Sequence, residues 1–414
     1  MNSIGYMALA VSAGILAYTY AGYPLLLRAV CLIRKPRRVP SEAADPWPLV
    51  SITVPMYNEQ AQAAELVESL LALDYPVDRR QILIVSDGST DGTEEIVRRY
   101  ADRGVELLAV PERTGKTACE NAAAPRLVGD IVVNTDASIR IMPDALKPLV
   151  SAFADPEIGL ASGRDVSVSR GDSAANLGES GYVGYEMGIR DLETAVYGIV
   201  GASGCLYAIR TPLHRILVPD SLSRDFSAAL KCEEHGFRAV SIPDAVCLVP
   251  RTGSIHKEYA RKVRTITRGM ETLVYKRALL NPFRHATFAW MLFSHKICRW
   301  LAPLAAVAGA VGLALLAPAH AWALVALGVG GVVLAAGLVG WALGDGRPLP
   351  RVVQVAAFAL SANVAAAHAT LRALRGDRDP MWEPTRRDTP PEPMIESGAA
   401  GALGGPVRPP GAPR

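Results

Sequence analysis

Long apolar blocks at the two ends of the chain, with a polar middle between them, constrain it most. Residues Ile4–Ile33 are almost free of charge up to Arg28, and ~20 apolar residues suffice for a helix to cross a bilayer. A cleaved signal peptide would start with basic residues, carry a shorter apolar core and end at small residues. Met1–Ile4 has no charge and the block runs too long, so it reads as a retained anchor. Arg28, Arg34, Lys35, Arg37 and Arg38 come next, which puts the N-terminus outside and the following residues in the cytoplasm. Near the other end lie three more apolar runs, Leu301–Ala317, Ala321–Leu343 and Val352–Leu371, separated by Pro318–His320 and Gly344–Arg351. Their Ala and Gly residues suit close helix packing in lipid. The mean hydropathy of +0.20 agrees with a membrane protein.

Two features of this end are ambiguous. Asn281–Trp300 mixes Phe283, Phe288, Trp290, Phe293 and Trp300 with Arg284, His285, His295, Lys296 and Arg299. That composition suggests an interfacial helix, with a plain cytosolic helix as the alternative. Three spans leaving the cytoplasm would end outside, yet Arg372, Arg375, Arg378, Arg386 and Arg387 follow the last one and favour the inside. Either one run is not a simple span, or Asn281–Trp300 crosses as well. From Pro384 onward the chain is rich in Pro, Gly and Ala and reads as a disordered tail.

The balance of 43 Lys and Arg against 40 Asp and Glu in 414 residues argues against a nucleic-acid partner, which calls for a basic excess. A hydrophobic content of 50% excludes disorder as the overall state. The six cysteines are scattered with no Cys-x-x-Cys pair, which fits a reducing compartment and offers no zinc or redox motif.

The polar middle alternates strand and helix patterns. Leu49–Pro55, Gln81–Ser86, Val105–Val110 and Asp130–Thr135 read as strands; Gln60–Leu73, Asp91–Tyr100 and Lys116–Leu127 read as helices. Such alternation predicts βαβ units around a mostly parallel, Rossmann-like sheet in an α/β domain. Ligands in these sheets bind beyond the carboxyl ends of the strands. Polar clusters fall there: Tyr57-Asn58-Glu59, the run Asp87–Gly92, and Thr135–Ser138. Any one of them alone is an ordinary turn with a helix cap; three on one edge point to a site.

The runs Ser51-Ile-Thr-Val-Pro-Met-Tyr-Asn-Glu59, Val85-Ser-Asp-Gly-Ser-Thr-Asp-Gly-Thr93, Thr114-Gly-Lys-Thr117 and Asn134-Thr-Asp-Ala137 resemble the inverting family-two glycosyltransferases of GT-A fold. The flanking spans are similar to those of membrane-bound bacterial members such as the cellulose, hyaluronan and poly-N-acetylglucosamine synthases. The resemblance covers roughly Pro48–Gly269. It implies a GT-A cytosolic domain flanked by transmembrane α-helices and a nucleotide-sugar donor. It places Pro55, Tyr57, Asn58, Glu59, Asp87 and Lys116 at the donor nucleotide, with Asp87 on the base or ribose. Asp136, with Ser138 as a further ligand, matches the metal-binding Asp-x-Asp motif, and Mg²⁺ or Mn²⁺ is the implied cofactor. Asp225, within Ser223-Arg-Asp-Phe226, matches the catalytic acid. Gly204 matches a small-residue strand beside the acceptor, and Arg261-Lys-Val-Arg-Thr265 stands where Gln-x-x-Arg-Trp is expected.

The residue types suit that chemistry. A nucleoside diphosphate leaves readily only when its charge is neutralised, by a cation on oxygen ligands or by guanidinium pairing from Arg261, Arg264 and Arg268. A carboxylate such as Asp225 can take the proton of an acceptor hydroxyl. Other readings stay open: Asp225 as a helix cap, Arg261–Arg268 as a solvated or lipid-facing surface, His256 as a loop residue. Lys116 follows a Gly, but no P-loop frame surrounds it. Ser138 and Ser86 replace acids of the family pattern, and Arg261 and Thr265 replace the Gln and the Trp. The missing Trp, which stacks under the acceptor in polymer synthases, weighs against processive synthesis.

The expected organisation is an N-terminal span at 1–33, a GT-A domain at 34–280, an interfacial helix at 281–300, about three spans at 301–374 and a tail at 375–414. The expected function is inverting sugar transfer at the cytoplasmic face of the inner membrane to a lipid-linked or polysaccharide acceptor, with membrane lipids and export components as partners. Transfer onto polyprenyl phosphate, or a non-catalytic place in a secretion complex, are the alternatives.

Overall fold

A computed structural model describes residues 2–41, 46–168, 174–250, 254–344 and 349–377, without the side chains of 174–180. Of the tail expected at 375–414, Arg375 closes a helix and residues 378–414 lie outside the described part.

One eight-stranded sheet organises the middle. Its strands are β1 (Val50–Met56), β2 (Arg80–Asp87), β3 (Val105–Val110), β4 (Ile131–Thr135), β5 (Arg140–Ile141), β6 (Ile158–Val168), β7 (Leu206–Arg210) and β8 (Arg238–Pro250), in the order β3-β2-β1-β4-β7-β6-β8-β5. The first four are parallel neighbours, as the alternating pattern predicts. β7 runs antiparallel between β4 and β6, and β6 pairs in parallel with β8 across register shifts.

Strands β1 and β4 are buried along their whole length, the mark of a parallel sheet covered on both faces. Successive side chains point to opposite faces. Ile52, Val54, Ile84 and Val133 face Leu66, Val67 and Leu70 of the helix Ala63–Leu71. Leu83, Val85 and Val132 face Cys119 and Ala123 of the helix Lys116–Ala123. Burying each such aliphatic side chain contributes ~1.5–3 kcal/mol, so the strand ends are held on a rigid platform.

Four helical stretches are long and apolar enough to span a bilayer: Asn2–Ile33, Pro282–Leu316, Ala321–Leu343 and Arg351–Arg375. The sequence divides the second into an interfacial helix and a span. The structure joins them, because no turn residue separates Trp300 from Leu301; the rod bends at His285 and passes through a π-helical turn, Phe293–Ile297. Small residues set the packing. A Cβ on Gly309 would lie 2.5 Å from Ser12 Oγ, and one on Gly312 2.8 Å from the Gly5 carbonyl. The helix Arg351–Arg375 rests on the amphipathic helix Ile255–Tyr275, with Ala365 and Ala369 against Val263.

Candidate functional site

The site forms where β1, β2 and β4 end. The loop after β1 is stitched to the loop after β2. Asn58 takes a left-handed conformation, φ 52°, and its Oδ1 accepts from Thr90 N at 2.8 Å while its own N–H donates to Ser89 Oγ at 3.2 Å. Glu59 N donates to Thr93 Oγ1 at 2.9 Å and Gln60 N to Asp91 Oδ2 at 3.1 Å. Tyr57 is capped by the Arg113 guanidinium, 4.0 Å from its ring centre. Pro55 is buried within β1 itself.

Asp87 is nearly fully buried at the end of β2. Its carboxylate accepts from Thr114 N at 2.6 Å, Thr114 Oγ1 at 3.1 Å and Gly115 N at 2.9 Å. It thereby positions the turn that leads into Lys116. Gly88, at φ +63°, has no room for a side chain, since a Cβ would meet Arg113 N at 2.7 Å.

Lys116 opens the helix Lys116–Ala123. Its ammonium pairs with Asp136 Oδ1, donates to the Gly204 carbonyl at 3.3 Å and lies 4.0 Å from Glu120. Burial works against the charge, but Asp136, Glu120 and Asp225 outweigh it and raise the Lys116 pKa. Lys116 is therefore charged throughout the neutral range. Asp225 is the second residue of the helix Arg224–Glu234, within its first turn, and Ser223 is the residue at its cap. The capping reading of Asp225 therefore falls: Ser223 Oγ donates to Asp225 Oδ1 at 2.5 Å. Asp225 Oδ2 would lie 2.9 Å from a Cβ on Gly204, so Gly204 lets the carboxylate approach the loop that also binds Lys116. The sequence-predicted residues Lys116, Asp136, Gly204 and Asp225 thus meet at one point. Ser138 lies in the turn after Asp136.

The arginines are distributed differently. Arg261 pairs with Glu258 at 2.6 Å, as does Lys262 at 2.7 Å. Arg268 donates to Thr117 Oγ1 at 2.9 Å and to the Leu222 carbonyl at 2.6 Å, tying its helix to the segments that carry Lys116 and Asp225. Arg264 is half-buried on the same helix, and His256 lies on that helix rather than in a loop.

Three residues with no assigned role complete the cluster. Glu120 is fully buried, and neither of its carboxylate oxygens has a hydrogen-bond partner. Arg224 Nε lies 3.3 Å from it, and the buried Tyr207 hydroxyl, itself unpartnered, feels Glu120, Asp225 and Asp136. Burial raises the Glu120 pKa, against the pull of Lys116 and Arg224. The i,i+4 spacing of Lys116 and Glu120 was the available signal. Among the described residues no three His, Cys, Asp or Glu side chains gather closely enough to hold a metal by themselves.

Parallel strands carrying an acidic turn after β4, and an antiparallel β7 bringing a glycine beside it, define a GT-A fold. The mannosyltransferase PcManGT of Pyrobaculum calidifontis, solved with GDP-Man and Mn²⁺, superposes with a TM-score of 0.70 over 91% of this chain and 100% of its own, at 24% identity; at that identity the likeness is one of fold. Residues 51–204 match the family model described as glycosyl transferase family 2, and this stretch is a glycosyltransferase family 2 domain. An N-acetylglucosaminyltransferase of Rhizobium sp. (strain N33) is 27% identical over 262 residues, 59% of this chain and 58% of that protein. A beta-monoglucosyldiacylglycerol synthase of Synechocystis sp. is 35% identical over 118 residues, 28% of this chain and 25% of that protein. The chain thus spans less than two thirds of the length of either relative.

Proposed function

We propose that this protein is a membrane glycosyltransferase that moves a sugar, with inversion, from a nucleotide-sugar donor to an acceptor held at the bilayer. The observation that carries the proposal is the meeting of Lys116, Asp136, Gly204 and Asp225 beyond the strand ends.

The chemistry follows from that arrangement. The acceptor hydroxyl oxygen bonds to the anomeric carbon as the bond from that carbon to the diphosphate oxygen breaks. The hydroxyl proton passes to Asp225, and the electron pair leaves with the nucleoside diphosphate. General-base assistance of this kind is worth ~10²–10⁴-fold. Ser223 fixes one Asp225 oxygen and so orients the other. Lys116 places a permanent positive charge where the leaving oxygen becomes negative. Asp136 is the carboxylate suited to hold Mg²⁺ or Mn²⁺, which would supply Lewis-acid neutralisation of the diphosphate. One protein carboxylate fits an ion that takes most of its ligands from phosphate oxygens and water. Tyr57, Asn58, Glu59 and Asp87 build the nucleotide side.

The acceptor is a lipid-linked or polysaccharide saccharide of the cell surface. The domain at 34–280 works on the cytoplasmic face of the inner membrane, anchored by the apolar helices. The test is donor hydrolysis by the full chain in detergent, across a panel of nucleotide sugars with Mg²⁺ or Mn²⁺. Metal-dependent nucleotide release from one donor, lost in Asp136→Ala, is the expected result. Silence across the panel with membrane lipid extract present overturns the proposal.

A further inference from the structure

A second polar cluster lies where the membrane helices meet the domain, and the reaction above leaves it unused. His295, on the π-helical turn, contacts Glu193 through Nδ1 at 2.6 Å and Glu186 through Nε2 at 2.9 Å. Tyr23 donates to Glu193 at 2.6 Å, and Arg299 pairs with Glu186. Arg190 Nε stands 3.6 Å from Glu186. The Lys296 ammonium lies within electrostatic reach of Glu186, Glu193, Arg190 and Arg299.

The charges do not balance. Among the described residues, Arg190, Lys296 and Arg299 are three cations against the carboxylates of Glu186 and Glu193. Their donors are also under-used. Arg190 is only 8% exposed, yet its Nε and Nη1 have no hydrogen-bond partner, and neither has Arg299 Nη2. The other orphan here is an acceptor, Glu193 Oε2. Buried donors left unpaired are costly, the more so when charged, and an anion relieves that cost.

Position identifies the anion. Tyr18, Trp290, Tyr182 and Tyr185 surround the cluster: Trp290 Nε1 donates to Tyr18 Oη at 3.0 Å, and Arg299 lies 5.9 Å and 5.5 Å from the Tyr182 and Tyr185 rings. Trp and Tyr collect at the headgroup level of a bilayer, so the cluster sits at lipid-phosphate depth. The other side of the cluster faces the reaction centre. A Cβ on Gly201 would come within 3.4 Å of Lys296 Nζ and 3.3 Å of Phe226. Gly201 and Gly204 begin and end one short loop: Lys296 packs at the first, Asp225 at the second.

We propose that Lys296 and Arg190 bind the phosphate of a membrane lipid, placed so that the group it carries reaches Asp225. This rests on the transferase reading and names its acceptor class as a phosphate-bearing lipid. Binding is measured on the full chain in neutral detergent with no donor present, as thermal stabilisation by polyprenyl phosphate, by polyprenol of the same length and by phosphatidylglycerol. Polyprenyl phosphate is expected to stabilise, polyprenol to have no effect, and Lys296→Met to weaken binding about tenfold or more, as loss of a charge-assisted phosphate contact does, with recovery in Lys296→Arg. Asp136→Ala should bind like wild type, which separates failure of this site from failure of the transfer chemistry. Equal stabilisation by phosphatidylglycerol, with the same loss in Lys296→Met, supports the phosphate site and assigns it to bulk lipid. Polyprenol binding as tightly as its phosphate, or undiminished binding in Lys296→Met and in Arg190→Gln, overturns the proposal.

Discussion

At the scale of single residues, the carboxylates differ by what surrounds them. Asp87 spends three hydrogen bonds on its own domain, whereas Asp225 keeps one oxygen turned toward the Gly204 loop. Asp225→Asn keeps the shape and removes the base; sugar transfer should fall by ~10²–10⁴-fold with an unchanged melting temperature. Transfer within a factor of two or so of wild type would remove Asp225 from the chemistry. Gly204→Ala should act differently. Its Cβ would press on a carboxylate at the end of a short side chain, so Asp225 shifts and turnover drops while the fold holds, a contrast that circular dichroism beside the transfer assay would show. Asp87, Asp136 and Asp225 were legible in the sequence because they sit in short polar runs at strand ends or a helix start. Glu120, Arg224 and Tyr207 were not. They are polar residues inside elements whose apolar neighbours look like ordinary core, and only the fold points them at one another.

At the scale of elements, the helix Ile255–Tyr275 joins the domain to the membrane part. One face carries Arg268, bonded to Thr117 and to backbone carbonyls before Asp225. The other carries Val263 against Ala365 and Ala369. The basic run that resembled a diphosphate-binding motif is here partly spent on structure, through Glu258. Burial would raise the Glu258 pKa, but Arg261 and Lys262 outweigh it and hold it well below the ordinary range. A depressed carboxyl contributes stability above the unfolded value of ~4.3 and loses it as pH falls through the folded one. Glu258→Gln should therefore lower the melting temperature at pH 7 and flatten its decline below pH ~4.3; parallel melting curves for the two proteins would contradict this. The first four strands were readable to within a residue or two because parallel strands are continuous apolar runs; β5 to β8, in the part of the sheet where β7 and β5 pair antiparallel, were not. The join of 281–300 to the next span was not, since aromatic-basic composition reports a depth in the bilayer and says nothing about where a helix ends.

For the whole molecule, four stretches have the length and composition of spans, and four crossings would put the C-terminus outside, against the arginines at its end. The packing bears on this conflict. Trp341, at the end of the helix Ala321–Leu343, lies 5.3 Å from the Tyr259 ring. His368 lies 6.1 Å from the same ring and its Nδ1 is 2.9 Å from the Tyr259 hydroxyl. The helix runs beside Ile255–Tyr275, with Phe358 4.7 Å under the Lys262 ammonium, a charged group on a helix tied to the catalytic domain through Arg268. The expectation that follows is a surface-lying Arg351–Arg375 and three crossings, with Arg372 and Arg375 on the side of the active site, the side the positive-inside rule favours. Single cysteines at Ala319 and Asp377, introduced after the native cysteines are replaced, test this in intact cells with an impermeant maleimide. Labelling at Ala319 and protection at Asp377 until the membrane is opened are expected. Labelling of Asp377 from outside would make the last helix a fourth span and break the link drawn here between its packing and its side of the membrane.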